Sequence, residues 1–143
     1  MSQLDSNLKN IPLQYQGFVQ TPNLWFGNTI YGLNQFEYSP NPNTELTNRK
    51  TIPNRLGKRV EHFVCKELNN LPDTQILAQN LQIQQNKHTI GELDTLIKHG
   101  DHIIHLEIVY KFYVYDPNVG TTHLDHWIGP NRKDSLIQKL DKL

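Results

Sequence analysis

The chain has 143 residues, room for one small domain with a modest core, which excludes a multidomain machine. Lys plus Arg and Asp plus Glu balance at 14 each, so overall charge offers no field for a polyanion or an anionic membrane, and any basic surface must be local. Cys65 is the single cysteine, which rules out an internal disulfide framework and a cysteine-rich zinc site.

A reducing, cytoplasmic location fits that cysteine usage. No apolar run approaches the roughly 20 residues that span a bilayer, and no stretch near the start has the pattern of a secretory leader. The expectation is a soluble, unprocessed chain.

Residues 1–55 are rich in Asn, Gln and Pro, and "SPNPNTELTNRKTIPN" carries the prolines and turn formers that interrupt regular structure. "YQGFVQTPNLWFGNTIYGL" is too aromatic for a disordered tail. Its Phe18, Leu24, Trp25, Phe26, Ile30 and Tyr31 are expected to pack onto the domain as short helical turns or an irregular wrap. This segment reads as an N-terminal layer over a core formed by residues 56–143.

From Leu56 the pattern is helical. Leu56, Val60, Phe63, Val64 and Leu68 recur at helix spacing, predicting a helix of about three turns that "NNLPD" ends. Cys65 reads as helix packing. Glu61 lies just outside the apolar stripe, where it is either a solvated glutamate or points along the interface toward whatever the helix covers.

"TQILAQNLQIQQ" reads as a strand of uncertain register. "HTIGELDTLIK" and "DHIIHLEIVYKFYVY" read as two longer strands around a turn at His99-Gly100. In the second, Ile104, Leu106, Ile108, Tyr110, Phe112 and Val114 form an apolar face, while His105, Glu107, Val109, Lys111 and Tyr113 share the other. Glu92 and Asp94 alternate in the same way on the first strand.

With His99 and Gly100 at the turn centre, Asp94 faces His105 and Glu92 faces Glu107. Asp94 and Glu107 are then diagonal neighbours, about 7–8 Å apart along the backbone, a separation across which two acidic side chains can share a divalent cation. Like charges directly opposite one another repel, so this face reads as built to hold positive charge.

"GELDTLI" followed after the turn by "HLEIVYK" resembles the PD-(D/E)XK nuclease superfamily. More closely, "LGKRVEHFV", "GELDTLIKHGDHIIHLEIVYKFYVY" and "HWIGPNRKDSLIQKLDKL" resemble a family of bacterial proteins of unknown function placed in that superfamily, over a region from about Leu56 to the chain end. The resemblance implies an α/β fold of α+β type with a mixed sheet and a restriction-endonuclease-like core. Its order is helix, strand, hairpin, second helix and a final strand.

It also implies a site. Asp94 and Glu107 match the metal-binding acids of the hairpin, and Glu61 matches the acidic residue that many members carry on the first helix. Val109 stands where the motif lysine belongs; Lys111, two residues along the same face, is long enough to lean back toward it. Asp94, Glu107 and Lys111 are thus the implied catalytic set, with His105 and Glu92 supporting them. Mg²⁺ or Mn²⁺ is the implied cofactor, activating water for cleavage of a phosphodiester in nucleic acid, with DNA as the expected partner.

Arg49, Lys50, Arg55, Lys58 and Arg59 cluster before and within the first helix, and Lys133, Lys139 and Lys142 come later; such cations are placed to contact phosphates, although each alone also reads as solvated surface. "THLDHW" gathers His123, Asp125 and His126 without the spacing of a zinc site. The tail predicts a helix from near Pro130 with Leu136, Ile137, Leu140 and Leu143 on one face. No residues follow to make a final strand, so the expectation is a fragment or a reduced sheet, with an apolar helix face that favours a homo-oligomer. Two functions stand: a metal-dependent nuclease, or a non-catalytic relative that binds nucleic acid or a protein.

Overall fold

The structure is a computed structural model that describes residues 10–27, 29–46 and 52–143. Among the described residues there are three helices and five strands: α1 (Ile11–Gln20), α2 (Leu56–Leu68), β1 (Thr74–Gln85), β2 (His88–His99), β3 (His102–Leu106), β4 (Val114–Tyr115), β5 (Trp127–Ile128) and α3 (Leu136–Leu140). They form two compact units, one of residues up to Phe26 with Phe36–Ile108, the other of Gly27–Gln35 with Val109–Leu143.

The first unit is built on α2, whose bounds are those the apolar spacing predicts. Val60, Phe63, Val64 and Leu68 are buried, and α2 packs against β1. Arg59, Phe63 and Glu67 recur every four residues and so form one stripe. That stripe faces α1: the Phe63 ring lies against Tyr15 and Phe18, with Ile11 and Ile52 completing the cluster.

The two charged members of the stripe are almost fully buried, at 6% exposure for Arg59 and 2% for Glu67, and both are hydrogen-bonded. Arg59 donates to the carbonyls of Pro53 and Asn54 and to the Gln14 side chain. Glu67 accepts from the Asn41 amide at 2.7 Å and from the Tyr15 hydroxyl. A buried charge that lost these partners would cost several kcal/mol, about 3–5, so they fix both the segment and the rotation of α2 about its axis.

The N-terminal residues are only partly the expected wrap. Phe18 packs on the core, but Leu24, Phe26 and Tyr31 are exposed, Phe26 at 79%. Gly27 and Gly32 take positive φ beside them, and Gly27–Gln35 belongs to the second unit.

The sheet of the first unit runs β1-β2-β3, antiparallel throughout. The mixed sheet expected from the sequence is absent among the described residues, because the connections here are two-residue turns, which join only antiparallel neighbours. Asn86 and Lys87, both at positive φ, join β1 to β2. Gly100, at φ +57, and Asp101 join β2 to β3, one residue later than the predicted turn. His99 therefore pairs with His102 and Leu96 with His105. This moves every pairing by two residues, so each side chain keeps its predicted face and changes its partner.

The third strand also ends early. It stops at Leu106, and the alternation that continues through Val114 in the sequence buries nothing beyond it: Phe112 is 62% exposed and Val114 59%.

In the second unit β4 pairs with β5, and Ile128 bridges to Ser135. The tail helix does not begin at Pro130. Arg132 sits at φ +57, the Gly129 amide donates to the Asp134 carbonyl, and Ser135 caps a helix of only five residues by accepting from the Gln138 amide. Leu136 and Leu140 are buried, while Leu143 of the same predicted face is exposed.

Tyr15 generates a testable consequence. Burial, reinforced by the hydrogen bond to Glu67, pushes its hydroxyl pKa up to about 12. A raised folded pKa adds stability that is complete below the unfolded value, about 10, and is lost as pH rises through the folded one. Tyr15→Phe should cost about 1.5–3 kcal/mol, a fall of several degrees in Tm at pH 7. It should also flatten the loss of Tm between pH 10 and 12, as thermal melts across that range would show.

Candidate functional site

On α2, Lys58, Glu61 and Cys65 recur at i, i+3 and i+7 and so share a stripe distinct from that of Arg59 and Glu67. Cys65 marks what the stripe faces, since its Sγ lies 3.8 Å from Thr95 Oγ1 on β2. Burial, above all, pushes the Cys65 thiol pKa up, so it is a poor nucleophile. One residue from Thr95 is Asp94, and two further is Glu92.

Asp94 stands where the β2–β3 ladder ends. The last pair is Thr95 with Leu106, so the same register carried one step further sets Asp94 opposite Glu107, closer than the diagonal placement the sequence suggested. Asp94 Oδ2 accepts a 3.0 Å hydrogen bond from the Ile108 amide. That bond replaces the next main-chain rung, which accounts for the early end of β3. Glu107, one residue past β3, has its Oε1 2.9 Å from Nε2 of His105 on that strand. Asp94 thus does not face His105, and His105 supports Glu107 instead.

Glu92 does not face Glu107 either; across the sheet it pairs with Gln82 of β1. Its carboxylate turns to Lys58, whose Nζ lies 3.8 Å from Glu92 Oε1 and 2.8 Å from Glu61 Oε2. The ammonium also donates to Asn80 Oδ1 at 2.6 Å. The hydrogen bond to Glu61 raises the Lys58 pKa, and the charges of Glu92 and Asp94 act in the same direction.

Asn80 was not singled out from the sequence. It interrupts β1 with a left-handed backbone, φ 49, a conformation Asn tolerates better than most residues. It falls between the pairs Gln79 with Thr95 and Leu81 with Leu93, which sets it opposite Asp94. Lys58, Glu61, Asn80, Glu92 and Asp94 therefore form one polar group at the meeting of α2, β1 and β2.

The remaining basic candidates are scattered. Arg59 spends its donors inside the fold and presents no free guanidinium to a phosphate. Arg55 is exposed at the start of α2, whereas Arg49 and Lys50 lie outside the described residues. Lys111, Lys133 and Lys139 belong to the second unit. There the Lys111 ammonium is bonded to Asp134, which raises its pKa. Since β3 ends at Leu106, strand alternation does not carry Lys111 along the face of Glu107.

The model of the family described as "Domain of unknown function (DUF1853)" matches residues 5–143. The chain belongs to the DUF1853 family. The match takes in the N-terminal layer as well as the region from Leu56, so the family resemblance is not confined to the latter. No curated protein and no solved structure matches the chain.

In this DUF1853 chain the donors that bear on a divalent ion are hard carboxylate oxygens, as Mg²⁺ and Mn²⁺ prefer. Among the described residues, no three His, Cys, Asp or Glu side chains are grouped to hold a metal. A divalent ion held by these residues would therefore have one or two carboxylates among its ligands and water for the rest, which Mg²⁺ accepts. Among the described residues no helix is long and apolar enough to cross a membrane.

The "THLDHW" segment has its own explanation in the DUF1853 fold. The Tyr115 ring packs against His123, His126 and Trp127, and His126 Nδ1 lies 2.6 Å from the Val119 carbonyl oxygen. Asp125 folds the loop by accepting from the Thr122 amide at 2.9 Å and the Thr121 amide at 3.1 Å. Gly120, at φ +74, is required because a Cβ there would stand 2.1 Å from Asp125 Cβ.

The two amides hold the Asp125 carboxyl below the usual carboxylate range, that of Thr122 most strongly. A depressed folded pKa gives stability that is complete above the unfolded value, about 3.9, and is lost as pH falls through the folded one. Asp125→Ala should therefore lower Tm at pH 6. The gap from the parent should close as pH falls below about 4 in a series of melts.

Proposed function

We propose that this DUF1853 chain is a metal-dependent phosphodiesterase acting on nucleic acid, with DNA as the expected substrate. One observation carries the reading: Asp94 ends the β2–β3 ladder in register with Glu107, one of its oxygens fixed by the Ile108 amide. A carboxylate tethered through Oδ2 keeps its second oxygen oriented for a ligand, and orientation of this kind is what a metal site asks of the protein. A restriction-endonuclease-like core is the fold this reading implies, and the helix-then-hairpin order around Asp94 supports it.

Asp94 and Glu107 would hold Mg²⁺ or Mn²⁺, with Glu61 reaching in from α2. The ion, when bound, supplies Lewis-acid polarisation of the scissile phosphate and a more acidic bound water. The chain's own part is to hold the carboxylates. Ile108 fixes Asp94, His105 positions Glu107, and Lys58 of α2 links Glu61 to Glu92 of β2.

A second reading, a non-catalytic module that binds nucleic acid or a protein, is favoured by one specific observation: Lys111 is committed to Asp134, and Val109 takes the motif lysine's position. Metal separates the two readings, because a binding module has no need of it.

At a hundred times its dissociation constant, a metal that binds only the folded chain adds about 2.7 kcal/mol of stability, several degrees in Tm. Mn²⁺ should therefore raise the Tm of the parent and permit cleavage of labelled DNA. Asp94→Asn and Glu107→Gln should each abolish the rise and reduce cleavage at least about a hundredfold, since several kcal/mol of charge stabilisation leave with the ligand. A parent that binds DNA but shows neither a shift nor cleavage at millimolar metal would support the second reading.

A further inference from the structure

Lys58 is a cation that the described structure brings to Glu61 and Glu92. It stands in the first turn of α2, and its side chain spans to both neighbouring strands, meeting Glu61 at 2.8 Å, Asn80 at 2.6 Å and Glu92 at 3.8 Å. Asn80 supports this as an independent feature. A left-handed residue inside a strand costs roughly 1–2 kcal/mol, and here that backbone turns an amide oxygen onto Lys58 from the position opposite Asp94.

The charges around Lys58 do not balance. Glu61, Glu92 and Asp94 bring three negative charges to one ammonium, so the group still attracts a cation after Lys58 is counted. The donors do not balance either. An ammonium has three, of which Glu61 and Asn80 take two, while Glu92 at 3.8 Å is beyond hydrogen-bond reach. With 44% of its side chain exposed, Lys58 can offer the third donor to an outside acceptor.

We propose that Lys58, and not Lys111, is the working cation of this site: its ammonium holds Glu61 and Glu92 while no divalent ion is bound, and turns to a backbone phosphate oxygen when one is. This rests on the metal-dependent reading above. It explains how a chain with valine at the motif position keeps a lysine for the chemistry, supplied from the helix instead of the strand.

The test uses the full chain and Mn²⁺ alone, titrated by calorimetry into the parent, Lys58→Met and Lys58→Gln, with DNA cleavage as a second readout. Loss of a unit charge several ångströms away, partly screened by solvent, should tighten Mn²⁺ binding roughly tenfold in both variants. Cleavage should fall although metal binds better, and Lys58→Arg should restore part of it. A parent that binds no Mn²⁺ while Lys58→Met does would overturn the proposal, because the ammonium then occupies the site instead of working beside a metal. Equal Mn²⁺ affinity in parent and variants would overturn the role of Lys58 and leave the metal site standing. If neither parent nor variants bind Mn²⁺, the metal reading fails and the proposal with it.

Discussion

Everything in the first unit depends on the two buried charges of α2. Arg59 and Glu67 lie on one stripe with Phe63 between them, and each is satisfied by groups from the segment that precedes the helix. A helix held only by apolar contacts can be repacked at small cost, but one that must keep a guanidinium and a carboxylate on buried partners has a single rotation about its axis. With that rotation fixed, the next stripes follow from helix geometry. Val60, Val64 and Leu68 are buried against the sheet side, and Lys58, Glu61 and Cys65 come round to β2.

The Asn/Gln-rich N-terminal segment thereby gains a role in placing Lys58 and Glu61. Tyr15 and the Asn41 amide hold Glu67, Gln14 and the carbonyls of Pro53 and Asn54 hold Arg59, and the helix so held delivers Lys58 and Glu61 to the strand that carries Asp94. That the family match begins at residue 5 agrees with this dependence. The polar group around Lys58 is consequently a product of three elements, with one carboxylate from the helix, two from β2, and an amide from a left-handed position of β1.

What could be read from the residues was what repeats. The bounds of α2 follow from its apolar spacing, and β1 and β2 from alternation between turn formers. The faces of Asp94 and Glu107 survived a misplaced turn because the error was two residues in pairing, which preserves side-chain parity. What does not repeat was hidden. Nothing periodic announces that the Ile108 amide bonds the Asp94 carboxylate instead of a backbone carbonyl, so the apolar alternation through Val114 reads as one continuous strand, whereas β3 ends at Leu106 and β4 starts only at Val114. Lys58 looked like one solvated charge among several because its partners lie 22 residues away at Asn80 and farther at Glu92. The tail offered a readable signal in Ser135, a good N-cap directly before the apolar pair Leu136 and Ile137, but Pro130 competes with it as a helix start.

The central claim is that α2 is oriented so that a lysine and a glutamate of the helix complete the carboxylates of the hairpin. Its most direct measurement is a crystal structure of the full chain grown with Mn²⁺, the ion located by its anomalous scattering. The account predicts a peak within coordination distance of Asp94 and Glu107, about 2.0–2.3 Å from their oxygens, with Lys58 Nζ withdrawn from Glu61. A crystal saturated with Mn²⁺ that shows no peak at Asp94, with Lys58 still bonded to Glu61 and Asn80, would contradict it.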